Sequence, residues 1–150
     1  MRNLLFLVSV GFLAAISTGF AVAEDDQVYL KRGGGISGSY KGSTAAQIAI
    51  ESKGQNQTVN VNEIRTINFA DEPTELRQGR AKSLSGKFDS ALSDLKRVNP
   101  SSIERDVIKR DLQFFLALCE AKIALSAGGD KAKANASMMS FVKAAPRSFH

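Results

Sequence analysis

The chain has 150 residues, a formal net charge of +5 and one cysteine, and 43% of its residues are hydrophobic. This length suits one domain or two small ones, and a single cysteine excludes an intramolecular disulfide. The only histidine, His150, is the last residue, and the only cysteine, Cys119, is expected to be buried on an apolar helical face, so we expect neither a catalytic triad or dyad nor a His/Cys cluster with metal-ligand spacing. We therefore expect a protein that is not an enzyme and that holds no cofactor or metal.

Residues 1–23 are predicted to be a secretory signal peptide. Arg2 gives the positive start, residues 4–16 are an apolar run, and residues 21–23 fit the small-x-small cleavage pattern. A retained membrane anchor is the alternative, although the run is short for a transmembrane helix. We expect export and cleavage after Ala23, which would leave the protein in the periplasm or the cell envelope.

Charged side chains of both signs are interspersed along the rest of the chain, as around Arg77 and Arg80 or Lys109 and Arg110. A nucleic-acid-binding protein would more often show a basic stripe interleaved with exposed aromatic residues. We interpret the pattern as a solvated, mixed-charge surface and expect no nucleic-acid partner. Weak association with anionic lipids or polymers of the envelope stays open.

Residues 24–70 are predicted to form a small β module. Apolar residues recur there with a period of two, and glycine-rich or polar turns separate the segments. The predicted strands are residues 28–30, 36–40, 47–50, 58–61 and 65–69, with a tight helical turn at 62–64. This pattern of strand lengths resembles a small SH3-like or Sm-like antiparallel barrel, and the resemblance implies a packing or interaction module.

Residues 33–38 read GGGISG and match the G-x-G-x-x-G spacing of dinucleotide-binding proteins. That fingerprint requires a helix directly after the glycines, because the helix N-terminus meets the pyrophosphate. Here residues 39–42 are strand and turn material. We interpret the glycines as turn residues.

The remaining residues, 71–150, are predicted to be helical. Pro73 marks the boundary, because it stops the last strand and suits the first turn of a helix. The predicted helices cover residues 74–84, 88–98, about 102–127 and 131–144. The expected class is therefore α+β, with a β module followed by a short helical array.

The first two predicted helices carry a recognisable spacing. Gly79, Gly86, Phe88 and Ala91 reproduce that of the tetratricopeptide repeat (TPR), which this hairpin resembles. In that family the first glycine admits the facing helix, and the aromatic residue and the alanine form the contact between helices. The resemblance implies about two repeats, at about 73–99 and about 106–146. A plain four-helix bundle is the alternative.

The TPR resemblance implies a non-enzymatic scaffold for protein–protein interaction. Its groove would be lined by the first helix of each hairpin, where long polar side chains bind an extended or acidic segment. The candidate partner-binding residues are Arg77, Gln78, Lys82, Gln113 and Lys122.

Two other functions stay open. One is a structural subunit that oligomerises through its last helix, by way of Met138, Met139 and Phe141, because an array normally needs a polar cap over its last apolar face. A chain that is a fragment of a longer one would also explain the missing cap, and a degenerate repeat that tolerates exposure is an explanation that we favour less. The other function, which we favour less, is a carboxylate-dependent hydrolase that acts on an envelope polymer.

Overall fold

The structure, a computed structural model, describes residues 25–126 and 129–150, so the predicted signal peptide lies outside the described residues. The strands are β1 (Asp26–Leu30), β2 (Gly35–Ser43), β3 (Gln47–Ser52), β4 (Gln55–Asn60) and β5 (Ile64–Asn68). The helices are α1 (Thr74–Leu84), α2 (Phe88–Leu95), α3 (Asp106–Ser126) and α4 (Lys131–Ala144). The predicted α+β class, an antiparallel sheet followed by helices, is confirmed.

The strands form one sheet in the order β4-β3-β2-β1-β5, and every pair is antiparallel. The β3–β4 hairpin turns through Lys53 and Gly54, which both have positive φ (52° and 75°), as a two-residue type I′ turn requires. A short 3-10 helix, Val61–Glu63, precedes β5. The glycines of residues 33–38 lie in a turn and in β2, and no helix follows them, as predicted.

Two glycines allow α1 and α2, the helices of the first hairpin, to pack closely against each other. A Cβ at Gly79 would lie 2.6 Å from Leu95 Cγ, so only glycine allows α2 to approach α1 this closely. Gly86 turns the chain between the helices with φ +78°. Helix α1 has the predicted bounds, whereas α2 ends three residues early. Leu84, the last residue of α1, is 50% exposed.

Helix α3 begins at Asp106 rather than near residue 102, so this prediction was wrong. The Oδ1 atom of Asn99 accepts the N–H of Ser101 at 3.0 Å and stabilises a 3-10 turn, Pro100–Ser102. Ile103 is then extended and buried. A separate turn therefore stands where the start of the helix was expected, and α3 begins about four residues later.

One hydrophobic core joins the sheet to the helices. The sheet contributes Val28 and Ile67, and Phe69 follows at the end of β5. The helices contribute residues such as Leu76 and Ile108, both fully buried. Because apolar burial is the main favourable term in folding, this shared core holds the sheet on one side of the helical array.

Candidate functional site

Arg80 lies at the centre of a buried charge cluster between the sheet and the helices, and its side chain is only 2% exposed. Its Nε donates to Asp111 Oδ2 at 3.0 Å, and its Nη2 pairs with the buried carboxylate of Glu72. Its Nη1 donates to the Ile67 carbonyl at 2.5 Å and to Asn68 Oδ1 at 2.9 Å. The cluster joins the end of β5, α1 and α3.

Burial disfavours the charged form of Arg80, but Asp111 and Glu72 outweigh this effect and hold the pKa of Arg80 above its ordinary value. A buried charge that loses its partner costs about 3–5 kcal/mol of stability. Our interpretation of Arg80 as a surface charge was therefore wrong. Its position four residues after Leu76 puts it on the buried face of α1, and that spacing was the available signal.

Another buried carboxylate, Asp26, links the start of the sheet to Arg105, directly before α3. Its oxygens accept the backbone N–H groups of Tyr40 (2.8 Å) and Ala70 (3.0 Å). Arg105 binds both oxygens, at 2.8 and 2.9 Å, and also pairs with Asp71 at 2.9 Å. Burial alone would raise the pKa of Asp26, but the hydrogen bonds from Arg105 and from the two backbone N–H groups outweigh this effect. The pKa of Asp26 therefore lies below its ordinary 3.8.

His150 and Cys119 do not form a catalytic pair. The Nε2 atom of His150 lies 2.8 Å from Asp111 Oδ1, and its ring stacks on Phe114 with 3.9 Å between centroids. Cys119 is buried, as predicted, and its Sγ lies 3.5 Å from Ser83 Oγ. Burial raises the pKa of the Cys119 thiol, which makes it a poor nucleophile. Among the described residues, no group of three or more His, Cys, Asp or Glu side chains could hold a metal.

A groove of ≈ 620 Å³ lies on the opposite side of α3 from Asp111, between α2, α3 and α4. At 100° per residue, Leu116 and Glu120 lie across the helix from Asp111. Ala117 and Phe141 are buried at its base. The full lining is Lys96, Gln113, Leu116, Ala117, Glu120, Ala136, Ser137, Ser140, Phe141 and Ala144. An apolar base with a few polar groups around it is typical of a ligand-binding cleft.

A smaller depression of ≈ 210 Å³ adjoins this groove and shares Lys96 and Glu120 with it. Leu92 and Ile123 supply its apolar walls. Between the two, Ser137 Oγ donates to Glu120 Oε2 at 2.9 Å and links α4 to α3. The two depressions together follow α3 over more than two turns, which matches the shape of an extended segment.

The three candidate residues on α1 are not brought together with the groove. Arg77 is half-exposed and donates to Glu72 Oε1 at 3.0 Å, and Lys82 pairs with Asp94 on α2. Gln78 is exposed between them. Two of the three side chains are thus occupied by ion pairs within the chain, on opposite flanks of α1.

The two candidate residues on α3 differ. Gln113 lines the groove, whereas Lys122 is exposed and does not line either depression. The sequence argument missed Lys96 and Glu120. Glu120 follows Gln113 by seven residues, two helical turns, and this spacing places both on one face of α3.

Of the three candidate residues on the last helix, Met139 alone is exposed. Phe141 is buried and packs on Phe114, with 5.4 Å between ring centroids, so it cannot contact a partner without rearrangement. Met139 and Val142 are half-exposed, and Met138 is partly buried. A docking surface on α4 would therefore consist of Met138, Met139 and Val142.

No helix within residues 25–126 and 129–150 combines the length and the apolar character that crossing a membrane requires. The chain was compared with protein-family models, curated proteins and solved structures, and none of them matches it. We therefore infer a function from the groove and the residues around it.

Proposed function

We propose that this protein is an exported, non-enzymatic interaction scaffold that binds an extended protein segment in the groove between α2, α3 and α4. The observation that carries the proposal is the groove itself, with Ala117 and Phe141 at its base and Lys96, Gln113 and Glu120 around it. We place the protein in the periplasm or envelope because of the signal-like residues 1–23.

Two finer features of the fold support this proposal. The close approach at Gly79, the turn at Gly86 and the buried Ala91 favour a TPR-like pair of hairpins. The strand order and the 3-10 turn before β5 favour an SH3-like sheet. In such an assembly the sheet covers one side of the helices and leaves the other side for a partner.

The chemistry of the groove defines the segment that it would accept. Leu116 and Phe141 favour an apolar anchor side chain, while Gln113 and Ser140 can hydrogen bond to the backbone of the segment. Lys96 and Glu120 have opposite charges, so the groove does not select an acidic segment. The acidic preference expected from Arg77 and Lys82 would require breaking their ion pairs with Glu72 and Asp94.

Peptide selection tests the proposal. A random peptide library is selected against the protein, and the affinity of an enriched peptide is measured by fluorescence anisotropy. Ala136→Leu fills the groove and should weaken binding by about tenfold or more, since one large side chain in the groove costs about 1.4 kcal/mol or more of binding free energy. Ala132→Leu, on the exposed start of α4, is the matched control and should bind normally. Equal affinity of the two variants for the peptide, or the failure to enrich any peptide, would contradict the proposal.

A second candidate, a structural subunit that docks through α4, rests on the exposed Met139 and Val142. Met139→Asp should then lower the oligomeric state measured by sedimentation. An unchanged sedimentation coefficient would count against this alternative and leave the groove proposal intact.

A further inference from the structure

The two edges of the sheet differ in how they are covered. At the β5 edge, the carbonyl of Ile67 accepts a hydrogen bond from Arg80, and the carbonyl of Phe69, just beyond β5, accepts one from Arg77 at 3.4 Å. At the β4 edge, β3 is the neighbouring strand on one side, and no strand of the described residues lies on the other. Antiparallel pairing leaves the backbone N–H and C=O groups of alternate β4 residues pointing outwards.

Strand β4 lacks the devices that usually protect an edge strand from another strand. Its sequence, QNQTVN, has no charged residue and no proline. The exposed residues of this strand are Gln55, Asn56, Gln57, Thr58 and Asn60. Six residues in regular register with β3 present an uninterrupted edge. This edge is a template for one more strand.

We propose that β4 of one copy pairs antiparallel with β4 of a second copy, across a two-fold axis near the middle of the strand. The two five-stranded sheets would then form one continuous sheet. A head-to-tail contact between β4 and β5 is disfavoured, because Arg80 already binds the Ile67 carbonyl of β5 and Arg77 binds the Phe69 carbonyl just beyond it. Asn and Gln amides each donate and accept, so this strand is complementary to itself.

The charges that flank β4 agree with this geometry. Lys53 precedes the strand and Glu63 follows it, and both are exposed. An antiparallel two-fold pair brings Lys53 of one copy towards Glu63 of the other, whereas a parallel pair would bring like charges together. Because only one short strand per copy takes part, the interface is small, and we expect a weak dimer that dissociates on dilution.

Sedimentation of the purified protein over a range of concentrations tests this proposal, which is independent of the groove. Thr58→Lys places two like charges close to the axis and should raise the dimer dissociation constant by about tenfold or more. Ser93→Lys, on the exposed face of α2, is the control and should leave the dimer unchanged. Circular dichroism checks that both variants fold.

A cross-link gives a second test if Thr58→Lys does not fold. Thr58→Cys should form a disulfide-linked dimer under mild oxidation, and Ser93→Cys should not. A wild-type protein that stays monomeric at every concentration overturns the proposal, as does a dimer that Thr58→Lys leaves intact. Open-ended assemblies would also overturn it, because a two-fold contact closes after two copies.

Discussion

The two helical hairpins use small residues at their contacts but are closed to different degrees. Between α1 and α2, the small residue Gly79 meets the large Leu95, and the gap is filled. Between α3 and α4, Ala117, Ala136 and Ser140 are among the lining residues of a groove that remains open. The difference teaches that the first contact is closed because a large side chain fills the space beside a small one. At the second contact the lining leaves room for a bound segment.

The hairpins also differ in how they are anchored. The first is joined to the sheet through the buried Arg80, whose Nη1 donates to the Ile67 carbonyl and to Asn68 Oδ1 at the end of β5. In the second, α4 is linked to α3 by the partly buried hydrogen bond of Ser137 to Glu120. We therefore expect substitutions at the first hairpin to change stability, and substitutions at the second to change binding.

The largest effect is expected at Arg80. Arg80→Met removes the buried cation that Glu72 and Asp111 share and should lower the free energy of unfolding by about 3–5 kcal/mol. Arg77→Met is the control, because it also pairs with Glu72 but is half-exposed, and it should cost at most about 1 kcal/mol. Urea denaturation measures both values. Equal losses would show that burial of the cluster does not govern stability.

A smaller, pH-dependent effect is expected at Asp26. Asp26→Asn removes charge-assisted hydrogen bonds and should cost about 1.5–3 kcal/mol at pH 7. Because folding lowers the pKa of Asp26 below 3.8, its contribution is fully present above that value and is lost as the pH falls through the folded-state pKa. The difference between wild type and variant should shrink between pH 4 and strongly acidic solution. A constant difference would contradict this assignment.

The hairpin contact itself is tested by Gly79→Ala. The added Cβ overlaps Leu95 Cγ, which should cost about 1–3 kcal/mol, while the better helix propensity of alanine returns up to about 1 kcal/mol. We expect a net loss of about 1–2 kcal/mol in thermal or urea denaturation. Combining it with Leu95→Ala should give less than the sum of the single losses. Full additivity would mean that the two residues do not meet.

The smallest stability effect is expected at the open hairpin. Ala136→Leu adds a large side chain to the groove, where it has room, so the free energy of unfolding should change by no more than about 0.5 kcal/mol. The same denaturation assay measures it beside Gly79→Ala. A loss above about 1 kcal/mol would mean that the groove is not open in solution.

Much of the fold could be predicted because helical periodicity and glycine turns depend on residues that are close together in the sequence. The bounds of α1 and α4 and the turn at Gly86 follow from helical periodicity and glycine conformation. The start of α3 was not predicted correctly, because the side chain of Asn99 stabilises a competing 3-10 turn.

The charge clusters and the groove were harder to predict. Arg80 donates a hydrogen bond to Asp111, which lies thirty-one residues away in the sequence. The pattern of charges along the chain does not reveal such a distant partner. The groove arises from helices that lie side by side only after folding. Gln113 was identified as a long polar side chain on α3, whereas Lys96, directly after α2, was missed because its neighbours in the groove come from α3 and α4.

The most direct test of the central claim is to map a bound peptide by NMR. The selected peptide is added to isotopically labelled protein, and backbone amide shifts are followed. We predict that the perturbed residues cluster at Leu116, Glu120 and Ser137. Shifts that cluster on α1 around Gln78, with the groove unaffected, would contradict the account.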